Sequence, residues 1–212
     1  MESRAKFLGH PIHQMLIVFP LGLFISAVVF DIAYLVSGNT LLASVAYYNI
    51  LFGVIMGLVA AIFGFRDWLA IPGGTRAKSV GARHGLGNVV VTLLMAASWL
   101  LRANTADFVP GTFGYILSFA GVMLGSMTAW LGGELVDRLG VGVDPGANLN
   151  APSSLSGQPA ADLQSGAMAT VPVTGEEKYH EKQTDKHSAV VTPDDMELRL
   201  TGEDVPEPDD MD

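Results

Sequence analysis

The chain has 212 residues, of which half are hydrophobic and 16% are charged, whereas about a quarter of the residues in soluble domains are charged. Its formal net charge of −9 is unevenly divided, because residues 1–140 hold eight basic and six acidic side chains and residues 141–212 hold four and fifteen. The absence of cysteine excludes disulfides, iron–sulfur ligation, thiolate zinc sites and covalently attached haem.

Four apolar segments follow one another in residues 1–144, and each is long enough to cross a hydrocarbon core of about 30 Å as a helix. They cover residues 14–36, 43–65, 84–101 and 113–135, separated by turns rich in Gly and Pro. The first is too long for the core of a signal peptide, so we interpret it as retained. Because the backbone in lipid must satisfy its own hydrogen bonds, the sequence predicts an all-α membrane protein, a bundle of four transmembrane helices.

Residues 145–212 differ sharply from the apolar segments. They are rich in Pro, Ser, Gly, Asp and Glu, with one Tyr and no Phe or Trp. Such a composition buries too little apolar surface to offset the entropy of ordering the chain. We therefore predict a disordered acidic tail, with a short strand or turn around Met196–Thr201.

The basic residues predict the orientation, because short cytoplasmic loops are enriched in Lys and Arg. One side of the membrane would carry seven of them, and the opposite loops would carry only Arg102. The seven are Arg4, Lys6, Arg66, Arg76, Lys78, Arg83 and Arg138. Both termini and the segment 66–83 are accordingly expected in the cytoplasm.

Two of the predicted helices carry a face of small residues. Gly53–Gly57 and Gly121–Gly125 are GxxxG pairs, which allow helix backbones to approach closely in lipid. These faces indicate packing, either within the chain or between subunits.

Ionisable residues concentrate at the predicted cytoplasmic ends of the spans, where they cost free energy to insert. His10 and His13 are three residues apart before the first span, Asp67 follows the small-residue face of the second, His84 opens the third and Glu134 ends the fourth. With alternating helix directions these side chains reach a similar depth. Two interpretations stay open: a binding site drawn from all four helices, or interfacial groups paired with Arg66 or Arg83.

Asp31 lies in the first span, eighteen residues after His13 and near the opposite surface. We expect it to pair with Tyr47, Tyr48 or Asn49. A role for Asp31 in ion transport is the weakest hypothesis, because no inverted repeat or broken helix accompanies it. The sequence also lacks the phosphate-loop, nucleophile-elbow and HExxH motifs of soluble enzymes and any basic surface for nucleic acid.

The segment Gly9-His10-Pro11-Ile12-His13 followed by Phe19-Pro20, the Arg66-Asp67-Trp68 motif and the run from Leu131 to Val143 resemble the bacterial domain-of-unknown-function 2231 family (DUF2231). This resemblance covers about residues 7–144 and implies a multi-pass protein of the bacterial inner membrane. Some relatives look like fusions to a Rieske-type ferredoxin domain, which implies electron transfer, although this chain has no cysteine for such a domain.

These observations support two functional hypotheses. The first is an electron-transfer module that binds haem b or a transition metal through His13 and His84, with His10, Asp67 and Arg66 around them and a redox partner in or at the bilayer. The second is a non-enzymatic scaffold that assembles with itself or another protein through the glycine faces.

Overall fold

The computed structural model describes residues 1–160, and these form the predicted bundle of four long apolar helices. A short hairpin of β1 (Lys6–Phe7) and β2 (His10–Pro11) precedes it. The helices are α1 (Ile12–Leu16), α2 (Val18–Ser37), α3 (Thr40–Ala70), α4 (Arg76–Arg102) and α5 (Thr112–Gly133). Short helical turns lie at Ala106–Phe108, Glu134–Arg138 and Ser154–Ser156. Most of the acidic tail, residues 161–212 with its expected turn around Met196–Thr201, lies outside the described residues.

α1 and α2 together form the first candidate membrane span, Ile12–Ser37. The helix is interrupted at Ile17, close to Pro20, which has no N–H to donate to the carbonyl of Leu16. The span ends where Gly38 adopts a left-handed conformation with φ 69°, which glycine takes without strain.

α4 is longer than predicted, and His84 does not open it. The helix begins at Arg76, because the Thr75 hydroxyl accepts a hydrogen bond from the Lys78 N–H at 3.1 Å and so caps the first turn. The connection to α3 is therefore only residues 71–75. His84 lies two turns inside the helix, and the basic residues around it are helical.

The bundle consists of two helical hairpins. α2 packs mainly against α3, and α4 packs mainly against α5, whereas α2 and α4 lie across the bundle from each other. The buried core between the hairpins is formed by Phe24, Ala27, Ala46, Ile50, Val91 and Met95.

A fully buried ion pair joins the two hairpins, and the expected pairing of Asp31 with Tyr47, Tyr48 or Asn49 was wrong. Both guanidinium ends of Arg102 donate to the Asp31 carboxylate at 2.6 Å, and both side chains have no exposed surface. The Arg102 Nε–H also donates to Ser98 Oγ at 3.3 Å. A bidentate pair of this kind fits the planar fork of arginine.

The surface of the bundle is apolar. Large hydrophobic side chains are exposed along every long helix, including Val29, Ile62, Leu93 and Met123. All four candidate spans within residues 1–160 are long and apolar enough to cross a membrane. The exposed hydrophobic side chains therefore have lipid as their natural surroundings.

Candidate functional site

At the end of the bundle away from the ion pair, His13 and His84 lie close together, and each ring makes the same kind of hydrogen bond to a neighbouring helix. The His13 Nδ1 lies 2.9 Å from the carbonyl oxygen of Ala60 in α3. The His84 Nδ1 lies 2.8 Å from the carbonyl oxygen of Thr128 in α5. A carbonyl only accepts, so each imidazole carries its proton on Nδ1 and donates it to the second helix of its own hairpin.

A glycine one turn further along makes room for each ring. A Cβ placed on Gly64 would lie 2.7 Å from His13 Cε1, and one on Gly132 would lie 3.1 Å from His84 Cε1. A larger residue at Gly64 would therefore displace the His13 ring, and one at Gly132 would make the His84 ring shift by a few tenths of an ångström. The glycines therefore position the histidines, and they do so at equivalent places in the two hairpins.

The two imidazole rings meet edge to face across the bundle. Their centroids are 6.4 Å apart and their planes are nearly perpendicular, at 89°. Two imidazoles on opposite sides of one metal ion place their centres about 6 Å apart, because each metal–nitrogen bond is about 2.0 Å. The spacing therefore suits a shared ion.

Asn88 determines the protonation state of the His84 imidazole. Its Nδ2 donates to the His84 carbonyl at 3.0 Å and lies 3.1 Å from His84 Nε2. The carbonyl contact identifies this atom as the amide nitrogen, so Nε2 is the acceptor and His84 is neutral. The Thr128 hydroxyl holds the Asn88 oxygen at 2.9 Å. The sequence alone gives no sign of the role of Thr128 at this site, because nothing local places a fourth-helix residue beside His84.

The other predicted site residues lie elsewhere. Asp67 accepts from Ser3 Oγ at 2.7 Å and from the Arg4 N–H at 2.8 Å, which fixes the N-terminal segment against α3. His10 is exposed in β2, with Nε2 3.4 Å from Ser154 Oγ. Arg66 is exposed as well. The structure thus brings together His13 and His84, but not Asp67, Arg66 or His10.

Glu134 also stays apart from the histidines. It accepts from Arg76 at 2.6 Å, so it joins the start of α4 to the end of α5. Within residues 1–160, no group of three or more His, Cys, Asp or Glu side chains is placed to hold a metal ion. A metal between the histidines would therefore have two protein ligands.

The N-terminal hairpin forms a polar cap at the histidine end. Lys6 pairs with both Glu2 and Asp144, and its hydrogen bonds to Asp144 and then to Glu2 raise the pKa of its ammonium group above the usual value. The Gly142 N–H donates to the Met1 carbonyl at 2.8 Å. Residues before the first helix and after the last one are thus fastened to each other.

Two open cavities lie near this cap. One has a volume of about 320 Å³ and is lined by residues such as Ile71, Arg76 and Leu139. The other has a volume of about 200 Å³ and is lined by residues such as Trp130 and Glu134. Neither cavity is lined by His13 or His84, and both histidines are half-buried.

A family model described as "Predicted membrane protein (DUF2231)" matches residues 9–145. The matched region contains all four candidate spans, both histidines and the buried ion pair. No curated protein and no solved structure matches the chain.

Replacing Gly64 with alanine should lower the thermal stability of the detergent-solubilised protein. The added Cβ would lie 2.7 Å from the His13 ring, and overpacking of this kind costs about 1–3 kcal/mol. Gly22→Ala is the matched control, because Gly22 is helical and has nothing within 4 Å of its Cβ position; its midpoint should hold or rise slightly. Equal midpoints for the two variants would show that His13 is not seated against Gly64.

Proposed function

The chain belongs to the DUF2231 family of membrane proteins, and we propose that its helical bundle binds a transition metal between His13 and His84. The observation that carries this proposal is the pair of imidazoles 6.4 Å apart, each anchored through Nδ1 to a backbone carbonyl.

The anchoring of the rings supports ligation. A histidine that binds a metal usually donates its other ring N–H to a carbonyl or carboxylate, which fixes the tautomer and the direction of the ring. His13 and His84 both have this arrangement, with Nδ1 committed and Nε2 left as the basic nitrogen. Neutral imidazole nitrogen suits copper, iron, nickel and zinc.

A bare ion fits the site better than haem b does. An ion between the rings occupies far less space than a porphyrin, which needs a flat space of its own. Neither cavity described above reaches the histidines. Copper is favoured among the divalent ions, since nitrogen sites bind it most tightly, and a structural zinc would lack two of its usual four ligands.

Binding of a metal ion to His84 Nε2 would break one hydrogen bond, the one that this atom accepts from Asn88. The Asn88 amide would leave His84 Nε2, but it would keep its contact to the His84 carbonyl at 3.0 Å. The Thr128 hydroxyl would still hold the amide oxygen. On the His84 side, a metal ion therefore needs only a movement of the Asn88 amide.

An electron-transfer role and a redox partner follow if the metal is copper or iron, because both change oxidation state within one ligand set. The assembly hypothesis has less support. Gly53 packs against Phe24 and Gly121 against Met95, so the glycine faces that would hold a second subunit contact side chains of the same chain.

Protein purified from cells supplied with copper and iron should contain one metal per chain. Elemental analysis measures the ion, and an absorption spectrum separates a free ion from haem iron by its Soret band. His13→Ala and His84→Ala should each lose the metal, because one imidazole alone makes a weak site. His10→Ala is the control and should keep it, since His10 is exposed in β2.

Wild-type protein without stoichiometric metal or haem would contradict the proposal. Metal that stays bound in both single variants would also contradict it, because the ion would then lie elsewhere. A Soret band lost in both variants would identify haem iron as the ligand and overturn the preference for a bare ion.

We propose further that both termini and the 71–75 connection face the cytoplasm of a bacterial inner membrane. The described part of the chain favours this orientation more strongly than the sequence alone. Arg102, the one basic residue expected on the opposite side, is buried in its ion pair and leaves that side without an accessible basic residue among residues 1–160. Seven basic residues against none is a strong bias.

Cysteines placed at Gly73 and Gly111 test this orientation, because the chain has no cysteine of its own. Both positions are exposed and have nothing within 4 Å of the Cβ position, so neither substitution should disturb the fold. In intact cells, Gly73→Cys should resist a membrane-impermeant thiol reagent and Gly111→Cys should react. Both should react after permeabilisation, and the reverse pattern in intact cells would place the histidines at the outer face.

A further inference from the structure

The buried face of the first helix recurs in α4. Five residues of the first span each have an equivalent in α4, 71 positions later in the sequence, that occupies the corresponding position in the second hairpin. The pairs are His13 and His84, Pro20 and Val91, Phe24 and Met95, Ala27 and Ser98, and Asp31 and Arg102. Ala27, Met95, Ser98, Asp31 and Arg102 are all fully buried.

The second helix of each hairpin repeats in the same way. Four positions of α3 recur in α5, each 68 positions later. The pairs are Gly53 and Gly121, Gly57 and Gly125, Ala60 and Thr128, and Gly64 and Gly132. Three of the four pairs are glycine in both hairpins.

The contacts inside the two hairpins correspond as well. A Cβ on Gly53 would lie 2.5 Å from the Phe24 ring, and one on Gly121 would lie 2.7 Å from Met95 Sδ. One helical turn further along, a Cβ placed on Gly57 would lie 3.7 Å from Pro20 Cβ, and one placed on Gly125 would lie 3.8 Å from Val91 Cγ1. The next matched contacts are the two histidine–carbonyl hydrogen bonds. Equivalent residues therefore meet at equivalent depths along the whole hairpin.

Two contacts between the hairpins join a position to its own equivalent. His13 faces His84 at one end, and Asp31 binds Arg102 at the other. Only residues close to a two-fold axis can meet their own equivalents. Since both hairpins begin from the same side of the bundle, that axis runs along the helices, as in membrane proteins built from parallel repeats.

We propose that residues 13–67 and 84–135 are two copies of one two-helix unit, packed about a pseudo-two-fold axis, and that the Asp31–Arg102 pair selects the pairing of unlike units. The partner that each hairpin surface fits is thus a second two-helix unit of the same design. This inference is independent of whether a metal binds.

The selection follows from the position of the charges. Two first units packed on each other would bring Asp31 against a second Asp31, and two second units would bring Arg102 against a second Arg102. Like charges buried together are strongly disfavoured. Lipid provides no hydrophobic drive between helices, so this electrostatic difference has a large share in deciding which hairpins pair.

The side chains around the ion pair favour the arginine in the second hairpin and the aspartate in the first. Ser98 and Ser118 contact the Arg102 guanidinium, whereas the equivalent positions in the first hairpin are Ala27 and Ile50. The second unit thus has hydroxyl acceptors for an arginine and the first does not. An exchanged pair should form but should lack these acceptors.

Charge reversal tests the proposal on the full chain. Asp31→Arg and Arg102→Asp should each lose most of the monodisperse peak in detergent size-exclusion chromatography, because each leaves like charges buried on the axis. The double variant should recover that peak with a lower thermal midpoint than wild type. Arg76→Glu with Glu134→Arg is the control at an exposed pair, and neither the single nor the double change should affect the peak.

Adding Ala27→Ser to the double variant tests the equivalence of the two units. The new hydroxyl would stand four residues before the introduced arginine, as Ser98 stands before Arg102, so the midpoint should rise. Ala33→Ser, on the same helix but off the axis, should not raise it. A double variant no better than either single variant would overturn the selection role, and a midpoint unchanged by Ala27→Ser would overturn the equivalence of the two units.

Discussion

The buried bond between Asp31 and Arg102 is the constraint on which the rest of the bundle depends. Helices in lipid gain nothing from hiding apolar surface, so the two hairpins need a specific reason to close on each other. An aspartate and an arginine with no exposed surface provide specificity, because any arrangement that separates them leaves a lone buried charge, which costs about 3–5 kcal/mol. With the pair formed, α2 and α4 are held across the bundle in one register.

That register determines what happens at the other end. His13 and His84 lie eighteen residues before Asp31 and Arg102, five whole helical turns away and on the same faces. Closing the ion pair therefore also brings the two imidazoles together. Between the two polar ends the core contacts between and within the hairpins are made largely by Phe24, Met95 and glycines.

Much of this architecture could be predicted from the sequence, because span length and apolar composition are local properties. The meeting of His13 and His84 was foreseen as one allowed cluster, since depth follows from counting residues. The pairing of Asp31 with Arg102 was missed because Arg102 was assigned to a loop, although the recurrence of His13 to Asp31 as His84 to Arg102 was a usable signal. Asp67 was placed with the histidines because helix counting gives no information about Ser3 and Arg4, which bind it.

The hairpins meet with two imidazoles whose Nδ1–H groups donate to backbone carbonyls. Nitrogen-15 NMR of histidine-labelled protein in detergent measures this directly, with His13→Gln and His84→Gln variants to assign the signals. Both side chains should show a protonated Nδ1, His84 should show an unprotonated Nε2 that accepts from Asn88, and the Nε2 signals should be the ones that shift when metal is added. An unprotonated Nδ1 at either histidine, or a protonated Nε2 at His84, would contradict this arrangement.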